Sequence, residues 1–160
     1  MPQQFTGAWA THQLADFLTA IAACPDGEAA LSQAAERIAE AFDAEAVAII
    51  RPGHVVRTLG WADPAAHEDE ILTAASAGAL EIDVPGAGRC LIASYDHDGT
   101  ARVLVARRDD DPYSNEEQGL LRNLCRVLTL ALQNFGLLDS LRARQLLFER
   151  LSTIQRSISY

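Results

Sequence analysis

The sequence predicts an α+β domain in which two amphipathic helices lead into five short strands and a long helix leads out. Three observations predict it. Apolar residues repeat at spacings of three and four over residues 14–42. Between residues 46 and 107 they gather in short β-branched or alternating runs broken by Pro-Gly, Gly-rich and Asp-Gly turns. After Ser114 a leucine-rich repeat at three and four runs on without a proline. At 160 residues and 49% hydrophobic content the chain can bury one sizeable core and little more, so one domain is expected.

Residues 1–10 show no periodicity and read as a flexible tail; residues 11–136 read as the domain and 137–160 as a helical linker. From Thr11 the stripe Leu14, Phe17, Leu18 and Ile21 marks the first helix, which must stop before Pro25. Asp26 stands as the N-cap of a second helix, whose Ala30, Leu31, Ala34, Ala35, Ile38, Ala41 and Phe42 repeat at helical spacing. Its many alanines permit close packing on a sheet. The run Ala46 to Arg51 and the run His54 to Gly60 flank Pro52-Gly53 and form a hairpin. A third helix spans about Asp63 to Ala77, with Pro64 in its first turn and Gly78 as its stop. Leu80 to Val84 alternates strictly, Gly86-Ala87-Gly88 makes a turn, and Arg89 to Tyr95 pairs with Ala101 to Arg107 across Asp96 to Gly99.

Ser114 and Glu117 form a capping box at the head of the last helix. Leu121, Leu124, Leu128, Ala131, Phe135 and Leu138 alternate spacings of three and four, and Leu141, Phe148, Leu151, Gln155 and Ile158 continue a looser stripe. A helix of about 45 residues would be about 65 Å long, more than a domain of this size can cover. Its far end is expected to find another partner.

Composition excludes several functions. The net charge of −9 opposes the phosphate attraction that nucleic-acid binding needs. The acidic excess lies in the first three quarters, since residues 120–160 carry six arginines against Asp139 and Glu149. No apolar run approaches the roughly 18 to 20 residues of a membrane span, and Met1-Pro-Gln-Gln4 lacks the basic start of a signal peptide. A cytoplasmic protein is expected. Cys24, Cys90 and Cys125 are odd in number and widely spaced, which indicates neither a disulfide framework nor a zinc site.

The order of elements resembles that of a GAF domain over roughly residues 13–137. The resemblance is carried by the exit segment Tyr113-Ser-Asn-Glu-Glu-Gln-Gly-Leu-Leu-Arg-Asn-Leu124, by the paired strands Arg89–Tyr95 and Ala101–Arg107, and by the small-residue helix Glu70 to Gly78. It implies a GAF/PAS-like (profilin-like) architecture: a five- or six-stranded antiparallel sheet with the first and last helices on one face and a pocket, when present, on the other. Only a few residues separate Trp61 from the third helix, where the family commonly carries a longer pocket-forming segment, so the pocket is expected to be small or filled. The Asn-Lys-x-n-Phe-x-x-x-Asp-Glu signature of cyclic-nucleotide binders is absent, and no cysteine matches a bilin attachment site or the cysteine set of the family's methionine sulfoxide reductases.

No chemistry of its own stands out. His12, His54, His67 and His97 are scattered, without the i, i+4 spacing of a metal-binding face. Of these, His54 and His67 lie near the implied pocket, where the family can hold haem, and His67 is the better placed. Asp109-Asp110-Asp111 lacks the spaced ligands of a calcium loop. No nucleophile elbow, phosphate loop or acid pair is present, and neither catalysis, a cofactor nor a metal is expected.

Two readings remain. In the first, the domain is a non-catalytic regulatory module that forms a parallel homodimer through Leu14, Phe17, Leu18, Ile21, Leu121, Leu124, Leu128, Ala131, Phe135 and Leu138, and relays a signal to a downstream output domain of the same polypeptide. A near-repeat of Leu14 to Ile21 at Leu147 to Ile154 fits such modularity and equally fits chance similarity between two amphipathic helices. In the second, an unknown small molecule occupies a pocket at Leu59, Trp61, His67, Tyr95 and Val103.

Overall fold

The computed structural model describes residues 7–61, 63–76, 80–84, 88–96, 98–107 and 112–158. The first six residues, His97, Asp109 to Asp111, Gly78 and Gly86-Ala87 lie outside them.

The chain runs α1 (Gly7–Ala22), α2 (Gly27–Phe42), β1 (Ala46–Arg51), β2 (His54–Leu59), α3 (Pro64–Ser76), β3 (Glu81–Val84), β4 (Gly88–Ser94), β5 (Arg102–Arg107) and α4 (Asn115–Ile158). The strands form one antiparallel sheet in the order β2-β1-β5-β4-β3. Consecutive strands pair at both edges, β1 with β2 at one and β3 with β4 at the other, β5 lies between β4 and β1, and the α3 crossover carries the chain from the β2 edge to β3 at the opposite edge. This is the five-stranded α+β fold that the strand spacing predicts.

Local signals set the helix ends. The Asp26 carboxylate accepts the Ala29 amide at 2.8 Å, capping α2, and Asp43 closes that helix with a left-handed φ of 48° and its N–H on the carbonyls of Ala39 and Glu40. Helix α1 begins at Gly7 rather than Thr11. Trp9 and Ala10 are half-buried against the core, one turn before Leu14; a single large side chain in that stretch is too little to establish a period. Past β2, Gly60 takes a φ of +78°, and a Cβ there would fall 1.8 Å from the Glu45 carbonyl oxygen, so only glycine lets the two backbones approach.

Both faces of the sheet are covered, which explains why β1, β4 and β5 read as nearly continuous apolar runs. On one face α2 and α4 pack on Val47, Ile49, Leu91, Val103 and Val105, and α1 packs against α2 and α4. On the other, Ile71, Ala74 and Ala75 of α3 lie on Ala48, Ile50, Cys90, Ile92, Leu104 and Ala106.

The helix-covered face corrects the expected dimer surface. Phe17, Ile21, Leu121, Leu124 and Leu128 are buried in the chain's own core. Leu14, Ala131 and Phe135 are half-buried against the same cluster, leaving Leu18 and Leu138 exposed. A stripe at three and four reports that a helix has an apolar side, not which surface that side meets. Here it meets the chain's own core.

Candidate functional site

The residues expected to line one pocket fall on different parts of the sheet. Trp61 and His67 sit on the α3 side, their rings 6.0 Å apart and tilted by 45°. The Trp61 indole donates to the Val47 carbonyl at 3.2 Å, and His67 Nδ1 lies 3.3 Å from a Glu70 carboxylate oxygen. Tyr95 and Val103 are buried in the opposite layer, under the helices. The Tyr95 hydroxyl donates to the Ile50 carbonyl at 3.1 Å, and burial raises its pKa despite the lowering effect of Arg51. Leu59 pairs with Val47 on the outermost strand and is exposed. The pocket set is therefore divided, because strand alternation sends sequence neighbours to opposite faces. Beneath α3, Ala74 and Ala75 are buried with Ala46, Ala48 and Ala106, and the groove of about 290 Å³ between α3 and β3 is lined by Thr73, Ala74, Ile82 and Val84 rather than by Trp61.

The remaining chemistry is structural. His12 is exposed beside Asp16, and the exposed His54 ring lies 3.3 Å from the Pro52 carbonyl. Among the described residues, no three His, Cys, Asp or Glu side chains are placed to hold a metal. Burial pushes the thiols of Cys90 and Cys125 up to about 12, which removes the thiolate that redox or nucleophilic chemistry requires.

What the fold leaves open is α4. Its first turn is pinned to the sheet. Ser114 Oγ accepts the Glu117 amide at 3.1 Å, a Glu117 carboxylate oxygen accepts the Ser114 amide at 3.0 Å, and the other accepts from Arg107 at 2.8 Å. The Arg107 guanidinium in turn covers the Tyr113 ring at 4.1 Å, and the Tyr113 hydroxyl lies within reach of the Val105 and Arg89 carbonyls. The helix then lies on the sheet as far as Phe135 and continues past it to Ile158.

Along its 44 residues, about 65 Å, most of the apolar residues change sides, while Leu138 and Leu146 stay near the phase of the proximal stripe and are exposed. Phe148 stands twenty residues beyond Leu128, and Leu141 twenty beyond Leu121. At about 100° per residue, each pair is roughly 160° apart around the axis. Leu137, Leu141, Leu147, Phe148, Leu151 and Ile154 lie on one arc of the distal half, and Leu130 on the same side closer to the body. All seven are exposed, Leu137 at 64% and Phe148 at 71%. In the near-repeat, Leu14 is half-buried and Ile21 fully buried, whereas Leu147 and Ile154 are exposed. The sequence shows the distal leucines but joins them to the proximal ones as one stripe; the change of side is visible only when the helical phase is followed along α4.

No family model matches the chain, and no curated protein matches it. Solved structures do. The GAF domain of a phosphoenolpyruvate-protein phosphotransferase from Coxiella burnetii is similar at 14% identity over 85% of this chain and 99% of that one, with a TM-score of 0.67. The GAF domain of a putative sensor histidine kinase from Pseudomonas syringae pv. tomato gives 17% identity over 86% and 94%, with a TM-score of 0.64. Residues 122 to 287 of a methyl-accepting chemotaxis protein give 14% identity over 80% and 98%, with a TM-score of 0.58.

Proposed function

We propose that this chain, which has the GAF fold, is a non-catalytic regulatory domain of a signalling protein that self-associates through the distal half of α4 and relays a signal along that helix to an output domain. The single observation that carries the reading is the exposed apolar arc from Leu137 to Ile154, set on the side of α4 opposite the sheet-facing stripe. A helix of some twenty residues with nothing against its apolar side is marginal alone in water. A second copy, aligned in parallel, would cover the arc with the three-and-four spacing of a two-stranded coiled coil.

Several observations support regulation. The structural neighbours include a putative sensor histidine kinase and a chemotaxis protein. No helix among the described residues is long and apolar enough to cross a membrane, which suits a cytoplasmic module. The packed layer under α3 favours a relay over a sensor with its ligand at Trp61. In such a relay, two arrangements of the paired helices would be in equilibrium, and anything that prefers one arrangement shifts the population.

The test is native mass spectrometry and sedimentation equilibrium on the full chain and on Leu141→Glu/Phe148→Glu. A dimer is expected for the first and a monomer for the second, with the same thermal midpoint for the domain. A wild-type monomer at concentrations of tens of micromolar, or a dimer insensitive to both charges, overturns the reading.

A further inference from the structure

At one edge of the sheet, β3 pairs with β4 only as far as Leu91. The Leu80 carbonyl still accepts from the Ile92 amide at 2.9 Å; past it no strand among the described residues covers β4, whose end, with the start of β5 and the flank of α4, lines a groove of about 650 Å³. Small-molecule sites commonly measure ~300–1,000 Å³. Ile92 and Ala93 contribute to its lining, and Leu80 and Leu130, 58% and 64% exposed, add apolar walls.

The polar lining is strongly cationic for a chain of net charge −9. Arg102, Arg122 and Arg126 all line the groove. Arg102 is held in place, donating from Nε to the Gly99 carbonyl at 2.9 Å and from its guanidinium to the Ala75 carbonyl. Arg122 and Arg126, one turn apart on α4, are exposed and form no ion pair or hydrogen bond among the described residues. Asp96, the one carboxylate among the lining residues, is engaged in its own turn: its oxygens accept from the Thr100 amide at 3.0 Å, the Thr100 hydroxyl at 2.8 Å and the Ala101 amide at 3.0 Å. Guanidinium groups without a carboxylate partner beside apolar walls match a ligand that has both an acid group and an apolar body.

We propose that this groove binds a small amphipathic organic anion, its acid group held by Arg102, Arg122 and Arg126 and its apolar body against Leu80, Ile92 and Leu130. The site is separate from the Trp61 region and uses α4 rather than α3. Its occupant would grip α4 upstream of Gly136, and so would give the proposed relay an input; that coupling rests on the relay reading, whereas the binding itself does not.

Binding is tested with 8-anilinonaphthalene-1-sulfonate, an aromatic anion whose fluorescence rises on apolar surfaces, and with octanoate as its competitor. The full chain should bind the dye saturably at one site per protomer, release it to octanoate, and bind it more weakly as salt rises. Arg122→Gln/Arg126→Gln should weaken binding at least 10-fold while leaving the thermal midpoint and N-phenyl-1-naphthylamine binding, the uncharged counterpart, unchanged. Leu141→Glu/Phe148→Glu should leave dye affinity intact, which separates failure of this site from failure of the dimer. Equal dye affinity in the arginine variant, or no saturable binding of dye or octanoate, overturns the proposal.

Discussion

Glu117 closes the capping box of α4 and neutralises Arg107 in a pair where the carboxylate side chain is only 4% exposed. Replacing it removes the acceptor of the Ser114 amide and leaves a guanidinium at 18% exposure without its carboxylate. Breaking a buried pair from one side costs ~3–5 kcal/mol; with Arg107 partly reached by water, Glu117→Ala is expected to cost about 3 kcal/mol, and Glu117→Gln less because its amide oxygen still accepts from Ser114. Urea denaturation of the three proteins measures both values, and a loss below about 1 kcal/mol for the alanine variant would mean that the pair is effectively solvated. The cysteines give a second expectation at this scale. Cys24 is half-exposed, its pKa raised by burial and by Asp26, whereas the Cys90 and Cys125 thiols are buried and stand near 12. With a disulfide reagent at pH 8, one thiol, Cys24, should react in the native protein and three after unfolding. Fast reaction of Cys90 would show that the α3 layer opens readily.

At the scale of elements, strand positions and the helix ends other than the start of α1 were legible where each rests on a local device: Asp26, the Ser114–Glu117 box, the Pro52-Gly53 turn and the alternation in β3. What each helix faces was not, because burial depends on contacts between residues far apart in the chain. Phe17 and Leu128 follow the pattern of a dimer seam and belong to the core. The candidate ligand set is divided between the layers for the same reason: whether Tyr95 and Trp61 share a side depends on strand register and on the path of the chain after β2, which composition does not record. The two halves of α4 offer a direct check. Leu128 is fully buried, so Leu128→Ala should destabilise the domain by about 3 kcal/mol through the lost apolar contacts and the cavity left behind. Leu141 is 60% exposed, and Leu141→Ala should leave domain stability within about 0.5 kcal/mol while weakening self-association. Chemical denaturation of the domain and sedimentation equilibrium, run on both variants, read the two effects separately; equal destabilisation by both would mean that the distal half folds as one unit with the body.

The whole molecule is a closed body with an open extension, and the two should melt separately. Both faces of the sheet are filled by residues no later than Phe135, so the body needs nothing from the distal helix for its core. The distal helix exposes Leu137, Leu141, Leu147, Phe148, Leu151 and Ile154, and in water its helicity depends on whatever covers them. If that cover is a second copy, mass action makes its melting rise with protein concentration, while the body, which binds nothing across the seam, unfolds at a fixed temperature. Circular dichroism at a few micromolar and at a few hundred micromolar should therefore show an early loss of helix signal that moves upward with concentration and a later transition that does not. A chain ending at Phe135 should keep only the later one, at the same midpoint and as a monomer. A single transition that moves with concentration in the full chain would place part of the body inside the self-associated interface, and the signal would then pass through the packed domain rather than along the helix alone.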